Sequence, residues 1–289
     1  MADAAAAAPA PLSVALGRTP RTEALFSGAA SDPSLALDLP AIPVISRAFA
    51  PMVRELRWPA SEMAVATYLM AKEAGAPLVL LPCVLFARAQ EGALFCRDDS
   101  PVRGPADLRG ARVGVRAYSQ TTGMWLRGVL ADAHGVAPGV VRWTTFEDAH
   151  VAGFRDPPWA ERAPPGATLE AMLRDGALDA AIFGGELPDA AGLRTVFPDP
   201  AAAGEAFRAR HGFVPVNHLL VAREDAARER TADLARLLDL LRRSGADVTT
   251  RARLAPALAL AARYCAEGGL TRRALTPDEL WAGTPDAFA

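Results

Sequence analysis

The sequence predicts an α/β protein with largely parallel sheets, folded as two lobes around a cleft, and three observations carry that reading. Short apolar runs alternate with helical segments along the chain. The stretch RVGVRAYSQTTGMWLRGVL, residues 112–130, passes from two-residue alternation through a cluster of hydroxyls into helical spacing. Loop-rich segments bound the middle αβ series on both sides, so the N- and C-terminal parts share one lobe.

The elements follow in order. LSVAL opens the fold as a strand, and GRTPRTEALFSG turns into a helix or loop. Residues 43–56 read as a helix and residues 61–74 as another, with Ser61 near its N-cap and Glu62 in its first turn. LVLLPCVLF is a buried strand and ALFCR a second. DSPVRGPADLRG is a surface connection into RVGV, whose helix ends near Gly135; VVRW is a further strand. FRDPPWAERAPPG reads as loop, ATLEAMLRDG as a short helix and DAAIF as a strand. GGELPDAAG breaks the pattern, NHLLVARED restores a strand, and helices over 226–244 and 256–266 precede the tail LTPDELW. The expected division is 12–95 with 213–289 in one lobe, 96–190 in the other, 191–212 as a crossing segment and 1–11 as a flexible leader.

Composition narrows the function classes. The 289 residues are 51% apolar and carry a net charge of −2, with basic residues spread along the chain, so no nucleic-acid footprint is predicted. No apolar run reaches the roughly 18 residues of a membrane helix. The start, MADAAAAAPAPL, has neither a basic n-region nor a sustained apolar h-region, so the chain reads as a soluble cytoplasmic protein. Three scattered cysteines and four histidines without ligand spacing predict no metal, and no phosphate-binding loop or dinucleotide fingerprint predicts a cofactor.

The hydroxyl cluster is the first site candidate. Where a parallel strand ends and a helix begins, unpaired N–H groups point into the crevice beyond the strand. Ser119, Thr121 and Thr122 would add donors there for a carboxylate, or would simply cap the helix. Arg127 lies about 9 Å further along the same helix at ~1.5 Å per residue, as a carboxylate clamp or as a tie to a neighbouring loop. Glu62 suits a helix N-terminus with or without a catalytic role. His218 opens a strand directly after the chain returns from the middle lobe and is the best candidate for proton transfer. His134, His150 and His211 read as solvated.

The stretch DLRGARVGVRAYSQTTGMWLRGVLADAHGV, with SEMAVATYL, LEAMLRDGALDAAI, GFVPVNHLLVAR and GLTRRALTPDELW, resembles the 4,5-dihydroxyphthalate decarboxylase family. The resemblance runs from about Arg18 to Trp281. It implies the two-lobed type II periplasmic-binding-protein-like fold, with a central ligand cleft. It further implies a cofactor-independent decarboxylase of a hydroxylated aromatic carboxylic acid, in which His218 or Glu62 supplies the proton. Arg21 and Thr22, which match a family Arg-Thr pair, would join Arg88 and the helix mouth as anchors for an acidic group. The implied partner is a small aromatic carboxylate, with no nucleic acid and no membrane, and with room for a homo-oligomer. In FARAQEGALF, Arg88 is kept, but Gln90, Glu91 and Gly92 stand where the family has Phe-Arg-His, which weakens the expectation of a dicarboxylate. A non-catalytic carboxylate-binding protein of the ABC-transporter type, or a related lyase for another acid, are the alternatives.

Overall fold

The computed structural model describes residues 10–185 and 188–288. Most of the expected leader, and residues 186 and 187 of the break GGELPDAAG, lie outside them. Strands β1 (Leu12–Ala15), β2 (Leu37–Asp38), β3 (Ala60–Ala64) and β4 (Leu78–Ala87) come first, with helices α1 (Glu23–Phe26), α2 (Ser46–Glu55) and α3 (Val65–Glu73) between them. The middle series holds β5 (Leu94–Arg97), β6 (Arg112–Val115), α4 (Thr121–His134), β7 (Arg142–Thr145), β8 (Ala160–Arg162), α5 (Leu169–Arg174), β9 (Ala180–Ile182) and β10 (Leu193–Thr195). The chain returns through α6 (Pro200–His211) to β11 (Val216–Arg223). It closes with α7 (Glu224–Glu229), α8 (Thr231–Arg243), β12 (Asp247–Val248), α9 (Arg251–Glu267) and α10 (Pro277–Trp281).

Two six-stranded sheets result, in the orders β12-β4-β11-β3-β1-β2 and β10-β5-β9-β6-β7-β8. They are mixed where the sequence suggested largely parallel pairing. β11 runs antiparallel between β3 and β4, and β5 antiparallel between β9 and β10, because each crossing strand enters its sheet from the opposite lobe. Residues 191–212, expected as a crossing segment, carry β10 and α6; α6 buries only Gly204 and Phe207 and so has little apolar periodicity to read.

The most consequential correction concerns Ser61 and Glu62. Residues 60–64 form β3, not the start of a helix. Helical spacing and a fully buried strand cannot be told apart when every side chain is enclosed, and all five residues of β3 are buried. The helix begins only at Val65, and Ala64 carries extended dihedrals as its N-cap. Glu62 therefore stands on a central strand, two residues before the N-cap of α3 and not in a helical first turn.

One core cluster runs through both sheets, joining Met63, Leu80 and Leu219 to Val113, Ile182 and Trp125. A second packs the outer face of the first sheet under α8, with Leu220, Leu81 and Leu237. A smaller third cluster, with Leu173, Leu178 and Phe183, lies under α5. Gly128 on α4 shows how tightly α4 and α9 meet, since a Cβ there would stand 2.0 Å from the Tyr264 ring. Two chain crossings link the sheets, β4 to β5 and α6 to β11, and Arg88 N donates to Pro215 O at 3.1 Å between them.

Candidate active site

The carboxyl ends of β1, β3 and β4 lie at one edge of the first sheet, where β11 starts in the opposite direction. On β11, His218 pairs with Ala64 and Leu220 with Glu62, so His218 and Glu62 share a face as diagonal neighbours across the β3–β11 ladder. Diagonal positions are within reach of long side chains. His218 Nδ1 stands 2.6 Å from Glu62 Oε1. Glu62 Oε2 accepts from Gly17 N at 2.9 Å, at the end of β1. The carboxylate is only 3% exposed, so both oxygens are held by fixed partners in a dry setting. A Cβ on Gly17 would come within 3.2 Å of that carboxylate and 3.3 Å of Ile45 Cβ, which is why the strand passes this point without a side chain.

The β4–β11 ladder aims the imidazole. Its register slips between Leu220 and Leu219, where β4 contains Pro82 and Cys83, and again on both sides of His218. Proline offers no N–H to a ladder, and a bulge redirects the side chain beside it. The His218 ring meets Phe49 edge-on at 5.2 Å and Phe86 at 5.5 Å. With Nδ1 held by Glu62, the Nε2 edge is the one left to meet a ligand.

The middle series closes over this edge. His150 is half-buried and shares a 2.8 Å hydrogen bond with Thr67 Oγ1. Its ring meets the other side of Phe49 at 5.4 Å. Burial, with Arg116, Arg54 and His218 nearby, pushes its pKa down to about 4. The sequence reading had left His150 in solvent, because nothing local shows that Arg54 grips the carbonyls of Ala149 and His150 at 2.8 and 2.7 Å.

The hydroxyls at the mouth of α4 divide their tasks. Thr121 Oγ1 accepts from Ala66 N at 3.2 Å, capping α3 across the cleft. Thr122 Oγ1 accepts from Arg88 Nη2 at 3.4 Å, and the same nitrogen donates to Gly184 O at 2.7 Å. Ser119 is buried beside them, 4% exposed. Arg88 thus bridges the first crossing to the second sheet at the α4 mouth, and desolvation holds its pKa below the usual arginine value.

Three expected anchors stand elsewhere. Thr22 is buried with its hydroxyl donating to Gly17 O at 2.6 Å, so it fixes the turn that presents Gly17 and has no hydrogen left for a ligand. Arg21 reaches Val84 O at 3.4 Å across the sheet edge. Arg127 is 1% exposed, donates to Tyr118 O at 2.8 Å and lies 3.9 Å from the centre of the Tyr118 ring. Among the described residues its Nε and Nη1 have no hydrogen-bond partner, and burial lowers its pKa. It props the helix from inside and does not clamp a ligand.

Gln90 and Glu91, which with Gly92 stand where the resembled family has Phe-Arg-His, also turn inward. Gln90 Nε2 donates to Asn217 Oδ1 at 2.7 Å, and Glu91 Oε2 accepts from Gln90 N at 2.9 Å. Burial raises the Glu91 pKa. Among the described residues no three His, Cys, Asp or Glu side chains gather as metal ligands, and no helix is long and apolar enough to cross a membrane.

No protein-family model matches the chain. It is 26% identical over 241 residues to the 4,5-dihydroxyphthalate decarboxylase of Comamonas testosteroni, covering 75% of this chain and 69% of that protein. It is 29% identical over 183 residues to the protein of the same name from Pseudomonas putida, covering 59% and 69%. Among solved structures it resembles the periplasmic aliphatic sulphonate binding protein SsuA of Escherichia coli, with a TM-score of 0.57, 15% identity and coverage of 95% and 82%. The alkanesulfonate-binding SsuA of Xanthomonas axonopodis pv. citri gives a TM-score of 0.54 at 15% identity, covering 97% and 86%. With the two sheets meeting at a common cleft, the chain has a type II periplasmic-binding-protein-like fold and is similar in sequence to the 4,5-dihydroxyphthalate decarboxylases.

Proposed function

We propose that the protein is a decarboxylase of a hydroxylated aromatic acid, with His218 as proton donor and Glu62 as the group that orients it. The observation that carries this reading is the 2.6 Å contact between His218 Nδ1 and a carboxylate buried at the cleft edge. An imidazole oriented through a buried carboxylate suits a proton donor, which needs a fixed direction toward its acceptor. Similarity to two proteins named for this reaction points the same way.

The chemistry balances with no redox step. In its doubly protonated form, with Nδ1–H donating to Glu62, His218 delivers the Nε2 proton to the ring carbon that bears the carboxylate, and electron density from an ortho or para hydroxyl forms the new C–H bond. The C–C bond to the carboxylate then breaks, its electron pair restores the aromatic ring, and CO₂ leaves. Solvent returns a proton to the imidazole. Arg88 and the α4 mouth, with Ser119 and Thr122, would hold the acidic group until the bond breaks.

The test follows CO₂ release from hydroxybenzoic and hydroxyphthalic acids. The wild-type protein should turn over at least one of them. His218→Gln should lower turnover by about a hundredfold or more, the scale of general acid catalysis, while binding largely survives. Equal rates in both proteins would remove His218 from the role. Tight binding with no CO₂ from any acid would favour the second reading, a carboxylate-binding protein, which the sulfonate-binding fold neighbours support.

A further inference from the structure

Resting on that reading of the site, we propose that the ligand carries a single acidic group, that its ring lies against Phe86 while the acid meets Arg88, and that Phe86 sets this selectivity.

Four large apolar side chains are exposed among the described residues: Val44, Phe86, Val140 and Val214. Three of them belong to segments that frame the His218–Glu62 pair. Phe86 is 38% exposed and its ring lies 5.5 Å from that of His218. Val44 precedes Ile45, whose Cβ crowds Gly17 next to the Glu62 carboxylate. Val214 precedes Pro215, whose carbonyl accepts from Arg88 N at 3.1 Å. Single exposed apolar residues are ordinary, but Phe86 is exposed directly beside the imidazole, as the apolar wall of a ligand site would be.

The polar side of the site is narrow. The Arg88 guanidinium lies 6.0 Å from the Phe86 ring centre, so a cation and an aromatic face stand side by side next to the imidazole. Elsewhere along FARAQEGALF the side chains that could receive a second anion are withdrawn. Gln90 is engaged by Asn217, and Glu91 is buried and acidic. A second carboxylate turned toward this stretch would lie against the apolar rim and find no cation in Gln90 or Glu91 to replace its hydration. A ring with one acidic group meets Phe86 with its bare face and Arg88 with its charge. Aromatic faces attract one another beyond simple burial, so a saturated ring of the same size is the poorer fit.

The experiment measures binding by calorimetry and CO₂ release with three probes: 4-hydroxybenzoate, 4,5-dihydroxyphthalate and 4-hydroxycyclohexanecarboxylate. Wild-type protein should bind 4-hydroxybenzoate about tenfold or more tightly than either of the others. Phe86→Leu keeps the apolar volume without the aromatic face, and should weaken 4-hydroxybenzoate by about five- to tenfold while leaving the saturated acid unchanged. Phe86→Ser should weaken both ring acids. Circular dichroism and thermal melts of the variants, at a position already open to solvent, establish that the fold is retained. Tighter binding of the phthalate, or indifference of all three acids to Phe86→Leu, would overturn the proposal. The expected preference without CO₂ release would sustain the ligand assignment while sinking the decarboxylase reading. Binding of none of the three would sink both.

Discussion

Gln90 and Asn217 join the two chain crossings through their side-chain amides. Gln90 Nε2 donates to Asn217 Oδ1 at 2.7 Å, and Asn217 Nδ2 donates back to Gln90 Oε1 at 3.4 Å. Both residues are buried, at 0% and 3% exposure, so neither amide has water as an alternative. Gln90→Leu or Asn217→Leu alone should cost about 1–3 kcal/mol, because each strands the other amide. The double leucine variant should lose less than the sum. Urea unfolding of the four proteins measures the coupling, and strictly additive losses would show that the pair does not act as a unit.

Thr121 and Thr122 should separate by function. Thr121→Val removes the acceptor for Ala66 N and should lower stability by ~1 kcal/mol, as loss of a helix cap does. Its effect on ligand affinity should be small. Thr122→Val should do the reverse, since the Thr122 hydroxyl faces Arg88 at the α4 mouth. Thermal melts and ligand titration of both variants check the split; equal effects in both assays would erase it.

Arg127 should tolerate loss of its charge better than loss of its bulk. Two of its guanidinium nitrogens are buried without partners, and the group is held mainly by the Tyr118 carbonyl and by the Tyr118 and Trp143 rings. An apolar replacement of similar volume removes the desolvation penalty together with the cation. Arg127→Met should therefore stay within about 2 kcal/mol of wild type, whereas Arg127→Ala should lose about 3 kcal/mol or more to the cavity it leaves. Chemical denaturation orders the two, and a more stable alanine variant would refute the account.

His150 should make the protein sensitive to mild acid. Its pKa of about 4 lies below the ordinary value of 6.5, chiefly through burial. The unfolded chain therefore takes up this proton first as the pH falls. The contribution is fully present above about pH 6.5 and disappears as the pH falls through about 4. At ~1.4 kcal/mol per pH unit of displacement the loss is ~3 kcal/mol. His150→Gln should flatten the stability profile between those limits. A mutant profile parallel to the wild type would rule out His150 as its source.

Much of the fold could be read from local pattern. The strands β4, β5, β6 and β11 and the helix α4 stand where the sequence put them, because each is a short apolar run or a helically spaced stretch bounded by loop residues. β3 was misassigned because burial on every side erases the difference between strand and helical spacing. His218 and Glu62 were both identifiable as residues, yet their partnership was not, being 156 positions apart and set by pairing of β11 with β3. The Gln90–Asn217 contact, across 127 positions, left no local trace either. Thr22 and Arg127 show why residue type alone leaves a role open: it shows what a side chain can bind, and only the packed neighbours show what already occupies it.

His218 directly follows Asn217, on the strand that continues out of the second crossing. The proposed proton donor and the amide that ties the two crossings are thus consecutive residues of one backbone. A rotation of one sheet against the other would load the segment just before the imidazole, where α6 gives way to β11. Admission of a ligand and alignment of the proton would then be two readings of a single mechanical coordinate. A substitution that stiffens or loosens the crossing would retune chemistry and access together, without touching a residue that meets the ligand.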